Sequence, residues 1–358
     1  MKMKYAAVAS ICVLAVLCSS ASVLFASDSD ADAAVYDGYY KNQLSSGQKT
    51  VYNALAGLST DVAFGGDESS GYYIAVTAVD LDDDPDTAKK DIETAWMATK
   101  LDASETLKWS FWTWTVSGVK PNITDVTAGP GGSFHIGIDA AFKDGFADKV
   151  TAVTEAVNAK EISGNSDSEK VKSINSILTG KDYAYVDSNE SHAFANTIYA
   201  AASANIQDGK THMTSVGYAA MFKALCTKAG IASIQVYGFS GNDSKLFAWN
   251  EVLVDDKVYG VDCAANATSK NKEQWLCAGV YTTADGDAFS KVHKAFPQST
   301  VNGLVYEFKV ETLNNNGYSW PADNSLIAKI TEYAPWILVG IICIVMAVAL
   351  VYMAKRGD

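Results

Sequence analysis

A chain of 358 residues with 48% hydrophobic residues, 11% aromatics and only 6 prolines is long enough for one large or two modest cored domains. Its formal net charge of -13 and lack of basic runs exclude nucleic acid and anionic membrane surfaces as electrostatic partners.

The chain opens with Lys2 and Lys4 ahead of the apolar run Tyr5–Leu17, followed by small residues. That layout predicts a secretory signal over residues 1–26, with cleavage after Ala26 or Ala33; an uncleaved N-terminal anchor is the alternative. Residues 27–35 are acidic and patternless, a flexible leader. Apolar residues at Tyr36, Tyr40, Leu44, Val51, Leu55 and Leu58 predict an amphipathic helix. Tyr72–Leu81 has strand character, and Asp82-Asp83-Asp84-Pro85 ends it. Asp86 or Thr87 is then expected to cap a helix running toward Ala103.

Trp109–Ser117 alternates aromatic and polar residues, as a strand does. Gly129-Pro130-Gly131-Gly132 is a hairpin-type loop with Phe134–Ile138 pairing behind it. Phe146–Ala159 and Ser168–Leu178 have helical periods, Tyr183-Ala184-Tyr185 a short extended entry, and His192–Ala202 a small-residue helix. Thr214 or Ser215 is placed to cap the next helix, which carries Tyr218, Ala219, Phe222, Leu225 and Cys226 and ends at Gly230. Ile231–Phe239, Leu246–Val254 and Lys257–Cys263 are predicted as successive antiparallel strands, with a turn at Asp255-Asp256. Phe289–Phe296 is expected to be a surface helix carrying His293.

At the far end, Pro335–Ala354 carries no charge from Trp336 to Tyr352 and has the length of a bilayer span. Trp336 and Tyr352 sit where interfacial aromatics would, and Lys355 and Arg356 place residues 355–358 inside. The expectation is a single-pass cell-membrane protein with its ectodomain outside and its C-terminus cytoplasmic. Outside the membrane-type segments lie Cys226, Cys263 and Cys277, an odd number; proximity pairs Cys263 with Cys277, and Cys226 is expected to be a small buried hydrophobe. Sequons begin at Asn122, Asn189, Asn242 and Asn266, so a glycoprotein is possible on sequence. His135, His192 and His293 are scattered without metal-ligand spacing, and no cofactor is implied.

Three stretches stand out: Ser215-Val216-Gly217-Tyr218-Ala219, Phe247-Ala248-Trp249-Asn250 and Tyr259-Gly260-Val261-Asp262. Together they resemble the core of the transglutaminase-like superfamily, in which a cysteine, one residue and Gly-Tyr-Ala start a helix. A His-Ala-Trp-Asn strand and a Tyr-x-Val-Asp strand follow. The resemblance is specific over about 191–268 and diffuse before that. It implies an α+β, papain-like core, a helix packed on an antiparallel sheet. Residues 36–165 then form a mixed N-terminal region, 166–296 the transglutaminase-like domain, 297–333 an extension and stalk, and 335–354 the transmembrane helix.

The same resemblance puts the family's catalytic triad at Ser215, Phe247 and Asp262, where only the aspartate is kept. A working member sets a thiol at a helix N-terminus, an imidazole to take its proton and a carboxylate to orient the imidazole. Serine needs a base more than a thiol does, and phenylalanine accepts no proton. His212, three residues before Ser215, and Cys263, beside Asp262, are the available substitutes. His212 has no evident carboxylate, and Cys263 is expected to face away from the cleft. Asp262 is expected to survive as a structural acceptor. The implied function is a pseudoenzyme that binds protein, peptide or surface polymer; an enzyme with a non-standard nucleophile and a structural envelope component are the alternatives.

Overall fold

The computed structural model describes residues 38–102, 121–138, 140–187, 194–202, 206–241, 246–295 and 308–321. The expected signal, the Trp109–Ser117 strand and the 335–354 span lie outside the described residues. Among the described residues no helix is long and apolar enough to cross a membrane.

The expected helix over 36–58 is divided. A 3-10 turn, Lys41–Gln43, ends at Leu44, and α1 (Ser46–Ala56) starts after it. The break is local chemistry: the Ser45 hydroxyl accepts the Gln48 N–H while the Gln48 side chain accepts the Ser45 N–H, a reciprocal cap that fixes a helix start. β1 (Phe64–Asp67) and β2 (Gly71–Val79) form a hairpin. α2 (Pro85–Asp102) is capped by Asp84, whose carboxylate accepts from the Thr87 N–H and hydroxyl. Asp86 and Thr87 therefore lie inside the helix, with Pro85 opening it, where its missing N–H costs nothing.

β3 (Ile123–Thr127) and β4 (Gly132–Ile138) close a sheet of order β1-β2-β4-β3. Alternate β4 residues are buried, including Phe134 and Ile136, so one sheet face supplies core. Ile92, Ala95, Trp96 and Thr99 of α2 are fully buried. The C-terminus of α2 is fastened by Asp102, which accepts from the Tyr40 and Lys41 N–H groups and the Tyr52 hydroxyl. Burial pushes the Asp102 carboxyl up to about 6, against the pull of those three donors.

Next come α3 (Ala140–Lys143), α4 (Phe146–Asn158) and α5 (Asp167–Leu178). Ser166 and Glu169 build a second capping box at the start of α5. β5 (Tyr183–Tyr185) runs parallel to β7 (Lys210–Met213), with β6 (Ile206–Gln207) on β7's other side. Of the helix expected over His192–Ala202, the described part holds a turn and a 3-10 segment, Ile198–Ala202.

α6 (Ser215–Ala229) is the central helix, and ten of its residues from Ser215 to Cys226 are buried. A helix apolar nearly all round has to sit inside the protein, here against β8 (Ser233–Ser240), β9 (Leu246–Val254), α5 and the elements around them. It stops at Gly230, whose φ of 72° is the left-handed closure that glycine adopts without strain. β9 turns into β10 (Lys257–Val261) through Asp255 and Asp256, both at positive φ, as a two-residue hairpin requires.

Asp262 ends β10 and caps α7 (Cys263–Thr268). β11 (Thr283–Ala284) and β12 (Asp287–Ala288) form a small hairpin. α8 (Phe289–Val292) and β13 (His293–Ala295) follow, giving a second sheet of order β10-β9-β8-β13. One buried cluster runs from Tyr40 to Phe308 and includes residues of both larger sheets. The chain divides after Gly317 into two units. Of the second, only 318–321 are described, where the Tyr318 and Trp320 rings meet edge-on at 4.8 Å.

Candidate functional site

Ser215 stands at the first turn of α6, the position at which the resemblance puts the nucleophile. Thr214 occupies the cap position, but its hydroxyl donates to Asn196 Oδ1 at 2.7 Å and to the Ala195 carbonyl at 3.3 Å rather than capping the helix. Gly217 explains the next motif residue: a Cβ there would lie 2.4 Å from the Ala195 carbonyl oxygen. The helix start is thus pressed against the 194–197 turn, and any side chain at 217 would push it away.

Ser215 is 3% exposed, and its Oγ accepts the Ala248 N–H at 3.2 Å. The serine therefore ties α6 to β9. Phe247, one residue before Ala248, occupies the place of the family base and pairs in register with Gly238. Asn250 donates from Nδ2 to the carbonyls of Ala219 (3.0 Å) and Ile234 (3.2 Å), fastening the same helix and strand further along.

Asp262 engages both of its carboxylate oxygens. Its Oδ1 accepts the Ala265 N–H at 2.9 Å, capping α7, and its Oδ2 lies 2.8 Å from His293 Nε2. His293 was expected on a surface helix beyond the core. It is instead the first residue of β13 and is buried, with its side chain 3% exposed and that of Asp262 1%. The other ring nitrogen, Nδ1, lies 3.1 Å from the Phe289 carbonyl. Both ring nitrogens are thus engaged, Nδ1 with a carbonyl and Nε2 with a carboxylate. Neither nitrogen is left to take a proton from Ser215.

An aromatic wall closes around the imidazole. Phe289 stacks on it at 3.8 Å, Trp249 and Trp275 stand edge-on at 5.1 and 5.7 Å, and Phe247 lies 6.1 Å away. Gly260, the variable residue of the Tyr-x-Val-Asp strand, lets Phe289 in: a Cβ there would lie 2.3 Å from the ring. The aspartate at the position the resemblance marks thus has a histidine partner, drawn from 31 residues downstream instead of from β9.

The substitutes for the missing groups lie elsewhere. His212 does have a carboxylate, contrary to expectation: its Nε2 is 3.0 Å from Asp208 Oδ1 on the β6–β7 turn. Cys263 is not a strand residue but the first residue of α7, since Asp262 caps a helix there. Its Sγ is directed at Asn175 Oδ1, 3.5 Å away. The expected Cys263–Cys277 bridge is absent, and Cys226, Cys263 and Cys277 are buried free thiols. Burial pushes the Cys226 thiol up to about 12 and those of Cys263 and Cys277 well above the usual range, the opposite of an activated nucleophile.

His135 pairs with Asp125 at 2.9 Å on the first sheet, and no metal-holding cluster occurs among the described residues. The sequon asparagine Asn266 is fully buried, its side chain donating to Asn175 and accepting from the Trp275 N–H, so it is closed to glycosylation in the folded protein. Asn122 is exposed, while Asn189 and Asn242 lie outside the described residues.

A buried central helix at whose N-terminus Ser215 sits, followed by the antiparallel strands carrying Phe247 and leading to Asp262, is an α+β layout of the kind the sequence resemblance implies. No family model matches the chain, and no curated protein matches it in sequence. Two solved structures are similar to parts of it. One is a transglutaminase, at 13% identity over 40% of this chain and 44% of that one, with a TM-score of 0.27. The other, from Cytophaga hutchinsonii, is assigned as a cysteine protease, at 12% identity over 38% of this chain and 55% of that one, with a TM-score of 0.22. The chain spans about half the length of the solved structures it matches. At these TM-scores the likeness carries no weight by itself, and the fold stands on the positions of its own motifs.

Proposed function

We propose that this chain is a non-catalytic, membrane-anchored surface protein whose transglutaminase-like site has become part of its core. The observation that carries this reading is the state of the three triad positions. Ser215 is engaged by the Ala248 N–H, Phe247 offers no base, and Asp262 is committed to His293 and to the cap of α7. The sequence supports the rest: a secretory signal, an ectodomain outside the cell and the 335–354 span with a basic cytoplasmic end. Such a domain would act by binding protein, peptide or envelope polymer.

The same commitment of Ser215 and Asp262 to the fold favours a second reading, a structural component of the cell envelope. Light scattering of the ectodomain separates the two: a monomer fits the binder, and concentration-dependent self-association fits the envelope component.

The test of inactivity is an acyl-transfer and peptidase assay of the native protein beside the double variant Ser215→Cys/Phe247→His. The native protein is expected to turn nothing over. The variant is expected to gain little, since Asp262 is already held by His293. Turnover by the native protein would overturn the proposal and make His212 the first residue to replace.

A further inference from the structure

Residues 308–317 have no helix or strand of their own, yet they are bound along their length. Phe308 is buried with its ring edge-on to Tyr40 at 5.2 Å. Lys309 and Gln43 pair reciprocally: the Lys309 N–H donates to Gln43 Oε1 at 2.7 Å, and Gln43 Nε2 donates to the Lys309 carbonyl at 3.0 Å. The Asn314 N–H donates to the Val258 carbonyl of β10, while the Asn314 and Asn315 carbonyls accept from the Val280 and Tyr281 N–H groups. An unpaired edge strand invites another chain, and here this segment covers part of that edge. The segment thus joins the N-terminal 3-10 turn, β10 and the 279–281 loop.

Midway along it, the Glu311 N–H donates to Glu251 Oε2 at 3.1 Å. Glu251 is a β9 residue, 3% exposed, and it is the one acidic side chain of the sheet that the segment closes over. We infer that 308–317 is a releasable strap, closed when Glu251 holds a proton and loosened when it loses it.

Among the described residues, the groups that act on Glu251 bring no positive charge to offset its own. They are Glu311 on the strap, itself acidic, and Tyr40 on the 3-10 turn, a neutral phenol with Asp102 of α2 acting on it as well. Burial pushes the Glu251 carboxyl up to about 8; the Glu311 N–H opposes this and the Glu311 charge adds to it. An acid raised in the closed state releases its proton near its ordinary value once water reaches it. Closure is therefore fully favoured below about 4.5 and weakens as pH rises, by up to about tenfold per unit, levelling off above about 8.

Hydrogen exchange of the full-length chain from about pH 5 to 8.5 tests this, read as protection factors at Glu311 and Asn314 corrected for the intrinsic rate. Protection at both is expected to fall tenfold or more across that range. In Glu251→Gln, whose amide oxygen still accepts the Glu311 N–H, it is expected to stay flat. A flat profile in the native chain, or an equal fall in the glutamine variant, would overturn the inference. If Glu251→Gln does not fold, Glu311→Gln serves. With the neighbouring charge gone the fall must shift to lower pH, and an unshifted fall overturns the inference.

Discussion

Replacing Asp262 with alanine is expected to cost about 5 kcal/mol of folding stability, measured by guanidinium unfolding. Two losses add. The Ala265 N–H loses its cap at the start of α7, worth about 1 kcal/mol. His293 loses its partner inside an aromatic wall, and breaking one side of a buried, hydrogen-bonded pair costs roughly 3–5 kcal/mol. Asp262→Asn keeps an oxygen for the cap and a polar group facing Nε2, so it is expected to cost less than half as much. An aspartate left over from lost catalysis would behave otherwise, with a cost under about 1 kcal/mol for either change, as at sites away from any buried network.

Phe289→Ala is the second large effect, expected at about 4 kcal/mol. The ring is fully buried, and truncating such a phenylalanine leaves a cavity costing roughly 3–5 kcal/mol. Part of that loss is the stack on His293 at 3.8 Å, and the emptied space would let water reach the Asp262–His293 pair. The converse change is Gly260→Ala, which drives a methyl group into the same ring and is expected to cost about 1–3 kcal/mol by overpacking. Guanidinium unfolding gives both values. Near-ultraviolet circular dichroism reports whether Trp249 and Trp275, edge-on to the same imidazole, lose their fixed setting. If Phe289→Ala left both stability and that signal unchanged, the ring would not be holding the site.

Much of the central architecture is legible in the residues because local and global preferences agree there. Gly217, Gly230 and the Asp255-Asp256 turn each have a backbone reason to be what they are, and the run from Ser215 to Cys226 is too apolar to be a surface helix. Asp262 as a structural acceptor also follows from the missing base at Phe247. Its partner was not legible. His293 lies in a three-residue strand, too short to show a period of two, and its contact to Asp262 spans 31 residues of chain.

The same physics hid the division of the first helix at Ser45 and the cap at Asp84. Both are local pairs of side-chain hydrogen bonds that a hydrophobic period does not register. Cys263 was misplaced for a related reason: the strand period continues through it, but the Asp262 carboxylate captures the Ala265 N–H and starts a helix there. The 308–317 strap is held by main-chain bonds, the Gln43 side-chain amide, the Glu251 carboxylate and the buried Phe308 ring, a pattern without any periodicity in sequence.

A double-mutant cycle on Asp262→Asn and His293→Gln tests most directly whether the family aspartate now serves the fold. Unfolding free energies of the native chain, both single variants and the double variant would be compared. A coupling of about 2 kcal/mol or more is expected, the double variant losing much less than the sum of the singles. Additivity to within about 0.5 kcal/mol would contradict the account, since Asp262 and His293 would then not hold each other in the folded protein.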